Sequence, residues 1–217
     1  MSDNRCRVAI LISGSGSNLQ AFIDQVQNGR LDLDIVTVVS NQADAFGLER
    51  AAKANIPTRL IDHRDFAERE LFDRAVASRL DALDIDLVIL AGFMRILSPW
   101  FVQHFAGRIL NIHPALLPAY PGLDTHQRVL DAGEQWHGST VHFVTEELDG
   151  GPLIFQGRIT VNANENAAEL AARVQTVEHQ IYPQVAAMFA SGQLRFRDNQ
   201  AMLGDDNLVE PISKDFE

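Results

Sequence analysis

An amide and an imidazole stand two residues apart in Asn111-Ile112-His113-Pro114. On a strand, residues i and i+2 share a face, so Asn111 and His113 would point into one site while Ile112 enters the core. An amide donor beside an imidazole can hold a developing oxyanion. The other use of such a pair is a hydrogen-bonded structural histidine at a strand end. Asp149, in Leu148-Asp149-Gly150-Gly151-Pro152, is a second candidate. A carboxylate beside His113 would favour the imidazolium. Asp-Gly pairs are more often turns in which the aspartate bonds its own backbone.

A third segment, Ser13-Gly14-Ser15-Gly16-Ser17-Asn18, lies between an apolar run and an amphipathic one. A strand, a Gly-rich turn and a helix in that order aim amide N–H groups and a helix dipole at an anion. The hydroxyls of Ser15 and Ser17 add donors. The dinucleotide fingerprint is incomplete, because Leu19 stands where the third glycine would be and Ser40-Asn41 ends the next strand without a ribose-binding acid. No Gly-Lys-Ser/Thr follows, so the loop is not a P-loop. A single phosphate monoester fits better than NAD or ATP. The alternative is a plain turn with Ser17 or Asn18 as N-cap. A fourth segment, Ala91-Gly92-Phe93-Met94-Arg95-Ile96-Leu97, offers an apolar slot for a flat heterocycle, although its composition favours a simple strand–helix connection.

Common nucleophile and metal signals are missing. Gly14-Ser15-Gly16 lacks Gly-x-Ser-x-Gly spacing. The seven histidines show no His-Glu-x-x-His and no Cys/His cluster, so no metal is expected. Cys6, the single cysteine, reads as a bystander and points to a cytoplasmic home.

The elements that would position these residues alternate over the first hundred positions. Strands are expected at 7–12, 35–40, 58–61 and 86–91. Helices are expected at 18–27, with Leu19, Phe22, Ile23 and Val26 on one face, at 44–54, and at 65–83. The last would open on a capping box of Asp65 and Glu68, with Phe66, Phe72, Val76, Leu80 and Leu83 as core. Alternation of this kind implies βαβ units and a parallel sheet. Further on, a strand at 108–112 leads into a Pro-rich loop, 113–122, and a short helix. Two strands, 140–144 and 153–161, flank the turn at Asp149. A helix over 165–181 carries capping-box spacing at Asn166 and Glu169. Residues 198–217 hold six acids and one lysine and read as a solvated tail supplying −5 of the net charge.

The chain has 217 residues, 46% hydrophobic and 22% charged, which suits a globular protein with its own core. The net charge of −11 argues against nucleic-acid and anionic-membrane partners, which need a basic surface. Met1 to Arg7 are polar and the apolar run 8–12 is short, so neither a signal peptide nor a membrane span fits.

Taken together and in order, these segments resemble one family. The carriers are Ser13-Gly14-Ser15-Gly16-Ser17-Asn18-Leu19-Gln20, Ser40-Asn41, Ala45-Phe46-Gly47, Leu90 to Leu97, Asn111-Ile112-His113-Pro114-Ala115-Leu116-Leu117-Pro118 and Asp149-Gly150-Gly151-Pro152. They resemble the phosphoribosylglycinamide formyltransferases, over roughly residues 7–195. The resemblance implies an α/β, Rossmann-like formyltransferase fold, with a mostly parallel central sheet flanked by helices and an antiparallel C-terminal extension of the sheet. It implies a single domain over 1–217, with a phosphate-binding half at 7–105, a folate and catalytic half at 106–197, and the acidic tail at 198–217.

The implied reaction is transfer of the formyl group of 10-formyltetrahydrofolate, as co-substrate, to the amine of glycinamide ribonucleotide in purine biosynthesis. By the same resemblance Asn111, His113 and Asp149 are catalytic. Gly16, Ser17, Asn18, Gln175, Thr176, Val177 and Glu178 bind the ribonucleotide. Arg69, Met94, Arg95, Ile96, Leu97, Asn111, Thr145, Glu146, Glu147, Leu148 and Asp149 bind folate. Family members often carry a basic residue near 175, where this chain has Gln175. The implied partners are the two small molecules, and the protein is expected as a monomer or homodimer. Three rivals are a 10-formyltetrahydrofolate hydrolase, expected with an extra N-terminal domain, a methionyl-tRNA formyltransferase, expected with a C-terminal RNA-binding domain, and a non-catalytic folate- or nucleotide-binding module.

Overall fold

The computed structural model describes residues 5–217; residues 1–4, part of the polar segment weighed as a leader, lie outside the described residues. The chain divides into two compact units, one ending at Leu110 and one running from Asn111 to Glu217. The sequence halves were expected to meet at 105/106.

The first unit follows the expected alternation: β1 (Cys6–Ile12), α1 (Ser17–Gln27), β2 (Leu33–Ser40), α2 (Phe46–Lys53), β3 (Thr58–Leu60), α3 (Arg69–Asp81), β4 (Leu87–Leu90) and α4 (Pro99–His104). The strands lie in the order β3-β2-β1-β4, and β1 pairs in parallel with both β2 and β4. Val8 to Ile12 are fully buried, as a strand covered on both sides must be. Ser98 caps α4 by accepting the Phe101 N–H.

One expectation here is corrected. No helix starts at Asp65, and the capping box with Glu68 does not form. Residues His63–Asp65 make a 3₁₀ turn in which Asp62 accepts the Arg64 N–H and Asp65 donates its own N–H to the Asp62 carbonyl. Phe66 is extended, its ring edge-on to Phe72, and α3 begins only at Arg69. Leu83 accordingly lies beyond the helix. Phe72, Val76 and Leu80 do form its buried face.

Strand β5 (Ile109–His113) ends in the second unit, which continues with α5 (Thr125–Ala132), β6 (Trp136–Phe143), β7 (Leu153–Thr160) and α6 (Ala167–Ala190). The strand order is β5-β6-β7, with β6 antiparallel to β7. Beneath the Asp149 turn, a Cβ on Gly151 would run into the Phe143 carbonyl, so only glycine fits there. The capping box of Asn166 and Glu169 is present. Helix α6 runs nine residues beyond the expected 181 and passes through Pro183. Tyr182, Val185 and Ala186, all fully buried, keep this last part of the helix packed.

The acidic stretch is largely exposed and also forms strands. Strands β8 (Leu194–Arg197), β9 (Gln200–Leu203) and β10 (Asp206–Asn207) form a small antiparallel sheet, and β11 (Ile212–Asp215) pairs in parallel with β7. Buried Ala201 and Met202 and half-buried Ile212 anchor these short strands while most of the stretch faces solvent. Among the described residues no helix is long and apolar enough to cross a membrane.

Candidate active site

The second unit brings together Asn111, His113 and Asp149. Asn111 and His113 occupy alternate positions of β5, and His113 is the strand's last residue. Asp149 reaches them from the β6–β7 turn, in the left-handed region at φ 53°. Its Oδ2 lies 3.5 Å from His113 Nδ1, with both side chains buried, and accepts the Gly122 N–H at 2.9 Å. The other ring nitrogen of His113, Nε2, is 2.8 Å from the Tyr120 carbonyl. A carbonyl only accepts, so Nε2 carries a proton. That leaves Nδ1 as the nitrogen facing the carboxylate.

His142, marked by no motif, completes the cluster. It sits in β6 beside a register shift at which Ile154 of β7 is skipped in the pairing. Its Nδ1 lies 2.8 Å from the Phe143 carbonyl and therefore donates to it. Its Nε2 is then an acceptor in the neutral ring, and Asn111 Nδ2 sits 3.1 Å away. Burial pushes the His142 pKa down from its ordinary value, outweighing the Phe143 hydrogen bond and the Asp149 carboxylate 3.9 Å away. The neutral ring thus fixes which way the Asn111 amide faces: one Nδ2–H goes to His142 and the second remains for an incoming oxygen.

Other polar groups brace this site. The Ser139 hydroxyl donates to the His113 carbonyl at 2.8 Å, and Glu178 Oε1 is 3.1 Å from the same hydroxyl. His126 Nδ1 and His137 Nε2 lie 2.9 Å apart. Burial lowers both pKa values, that of His137 to about 4, and the neighbouring His113 adds to each shift.

The first unit holds the Gly-rich loop. Helix α1 begins at Ser17, and its N-cap is Gly16 at φ 68°, not Ser17 or Asn18. Gly16 has no side chain to satisfy the first-turn N–H groups, which suits an external anion. A Cβ at Gly16 would sit 2.6 Å from Gly47 Cα, so the loop and α2 touch backbone to backbone. Gly47 N–H donates to the Gly14 carbonyl at 3.0 Å, and Arg50 Nε donates to the Ser15 carbonyl at 2.8 Å.

The 91–98 segment is also fixed from outside. Ser13 N–H donates to the Gly92 carbonyl and Ser13 Oγ accepts the Met94 N–H. Buried Asp73 accepts the Ser98 N–H at 2.6 Å, and burial raises its pKa. The Arg95 guanidinium lies over the Phe72 ring. Met94 and Ile96 are exposed, at 71% and 56%, while Leu97 is buried.

The remaining expected residues scatter more. Arg69 opens α3 and is exposed, its charge felt by Asp73. Thr145 is half-buried, and Glu146, Glu147 and Leu148 are exposed. Gln175 and Thr176 lie on the exposed side of α6, whereas Glu178 is buried. Val177 is only 1% exposed and packs on Gly157 of β7, so its side chain belongs to the core. Cys6 is no nucleophile at neutral pH, because burial, with Asp86 adding, pushes its thiol up to about 11.

Comparison with known proteins places the chain. The formyl transferase family model matches residues 6–186. Phosphoribosylglycinamide formyltransferase of Escherichia coli K12 is 51% identical over 201 residues, 93% of this chain and 95% of that protein. The Haemophilus influenzae protein of the same name is 47% identical, over 91% of this chain and 93% of its own length. A solved phosphoribosylglycinamide formyltransferase from Coxiella burnetii superimposes with a TM-score of 0.92 at 46% identity, covering 96% of this chain and 99% of that one.

The chain belongs to the phosphoribosylglycinamide formyltransferase family.

Its fold is the Rossmann-like fold of that family: a mostly parallel sheet with helices, extended by antiparallel strands. Within this formyltransferase, Asn111, His113, His142 and Asp149 are each held by hydrogen-bond partners in their own unit.

Proposed function

We propose that the chain transfers the formyl group of 10-formyltetrahydrofolate to the primary amine of glycinamide ribonucleotide, giving the N-formyl ribonucleotide and tetrahydrofolate in purine biosynthesis. The names of its relatives support the reaction class. The observation that carries the mechanism is the oriented pair of donors on β5, the Asn111 amide held by His142 and the His113 ring held by Tyr120, with Asp149 alongside.

The amine nitrogen attacks the formyl carbon, and its carbonyl oxygen becomes an oxyanion. The second Nδ2–H of Asn111 stabilises that oxygen. Nε2 of His113 is committed to Tyr120, so the donor the ring offers is Nδ1–H, which lends its proton to the oxyanion and takes it back as the carbonyl re-forms. Asp149 compensates the positive charge of the ring. It also takes the proton lost by the amine and returns it to the departing folate nitrogen, so one proton leaves and one arrives. Pre-set donors of this kind contribute about 10²–10³-fold, and a positioned proton donor about 10²–10⁴-fold.

The amides of Gly16 to Asn18 hold the ribonucleotide's phosphate, and Glu178 accepts hydrogen bonds from its ribose hydroxyls. Backbone groups of Met94 to Leu97 and of Thr145 to Asp149 bind the pterin, and Arg69 contributes positive charge toward the folate's carboxylates. Gln175 supplies no charge, which leaves the loop amides as the main phosphate contact.

The test is to mix the purified protein with 10-formyltetrahydrofolate and follow loss of the formyl group with and without glycinamide ribonucleotide. Fast loss only with the ribonucleotide is expected. Equal loss to water would make the protein a hydrolase, and folate binding without loss would make it a binding module.

A further inference from the structure

Ser13 lies outside the residues assigned above to either substrate, yet its polar contacts connect their two loops. It opens the Gly-rich loop. Its N–H donates to the Gly92 carbonyl at 3.1 Å, and its Oγ accepts the Met94 N–H at 2.8 Å. A backbone N–H can only donate, so the Ser13 hydroxyl proton must go elsewhere, and Asn41 Oδ1 receives it at 2.6 Å. Asn41 is itself 1% exposed, with Nδ2 3.3 Å from His63 Nδ1. The hydroxyl, three positions before Gly16, is therefore oriented and holds residue 94, while the Ser13 N–H holds residue 92.

Phe93 stacks on Phe72 and Arg95 lies over the same ring, so packing anchors those two positions. Met94 and Ile96 point into solvent, so at residue 94 the hydrogen bond to Ser13 is what sets the backbone. Asp73 fixes the far end of the segment at Ser98 from helix α3. Ser13 alone of these two belongs to the Gly-rich loop.

We propose that Ser13 is a positioning residue that joins the phosphate loop to the folate loop, so that filling one orders the other and the two substrates bind with positive cooperativity. This rests on the substrate reading above. Coupling of this kind is reciprocal: the factor by which the ribonucleotide tightens folate equals the factor by which folate tightens the ribonucleotide. A coupling carried by one neutral hydrogen bond is worth roughly two- to tenfold.

The experiment is calorimetric titration of an unreactive folate analogue into the full-length protein, with and without saturating glycinamide ribonucleotide, alongside steady-state kinetics. In the wild type the ribonucleotide should tighten the analogue roughly three- to tenfold. In Ser13→Ala the ratio should fall to about one, and KM should rise for both substrates while kcat at saturation stays within about twofold. Ser13→Thr, which keeps the hydroxyl, should restore the ratio. Asp73→Asn should raise the folate KM and leave the ratio in place. A wild-type ratio of one, or a Ser13→Ala that raises only the ribonucleotide KM, overturns the proposal. A wild type that binds neither ligand removes the substrate reading and the proposal with it.

Discussion

The two units build their candidate sites by opposite means. In the first, the Gly-rich loop presents backbone: helix α1 starts on a glycine, the loop meets α2 glycine to glycine, and side chains serve mainly to hold the main chain in place. In the second, β5, β6 and the Asp149 turn present side chains whose orientation is set by other side chains and carbonyls. A backbone site depends on the absence of a Cβ and tolerates changes in chemistry around it. A side-chain site depends on protonation and rotamer, and every member needs a partner in a low-dielectric setting.

That contrast can be broken or sharpened by substitution. The largest effect belongs to Asp149→Asn. It keeps the shape of the turn and removes the charge beside His113, and kcat should drop about 10²–10⁴-fold with little change in melting temperature. Near-normal turnover in steady-state assays would mean that the second unit does not work through its ionised side chains.

Next comes acid sensitivity of the same unit. His137 is pushed down to about 4 from 6.5 in the folded protein. The unfolded chain therefore binds more protons than the folded one between those values. Its contribution is fully present above pH 6.5 and is lost as pH falls toward 4, at a cost of about 2–3 kcal/mol. His142 shifts in the same direction. Urea denaturation at pH 7 and pH 4.5 should show the loss, and His137→Gln should flatten the difference; an unchanged difference would assign the acid sensitivity to other groups.

Gly16→Ala tests the backbone site. At φ 68° with Gly47 Cα 2.6 Å from the new methyl, it should cost about 1–3 kcal/mol of stability and raise the ribonucleotide KM about tenfold. Ser17→Ala, which keeps the amide and removes only one hydroxyl donor, should raise that KM less, about two- to threefold. The smallest effect is Asn166→Ala, which removes the capping box of α6. It should lower stability by about 1 kcal/mol in thermal melts and leave kcat unaltered.

Legibility followed the same division. The Gly-rich loop could be read because glycine is itself a conformational signal, and Asn111/His113 because strand alternation puts i and i+2 on one face. Asp149 could be picked out at its Asp-Gly-Gly-Pro turn and given a role by the family resemblance, but its closeness to His113 depends on a turn 36 residues away, beyond any local pattern. His142 escaped notice for a related reason: a histidine within a strand carries no local sign of which residue of the neighbouring strand it will meet, here Asn111. Asp65 and Glu68 show the reverse failure. Their spacing fits a capping box, yet Asp62 claims the turn first and α3 starts later. The strands after 198 were masked by acidic composition, because a two- to four-residue strand needs only one or two buried anchors.

Strand β11 has a consequence for solubility. It covers one edge of β7 and itself presents Ser213, Lys214 and Asp215 outward. Sheet edges are templates on which other copies of a chain can add, and charged, short edge strands discourage that growth. A chain cut after Gly204 would leave the eight-residue β7 with an uncovered row of N–H and C=O groups. Such a truncation is expected to keep its site residues and yet self-associate in light scattering at concentrations where the full chain stays dispersed. The acidic stretch thus works as a fitted seal on the sheet.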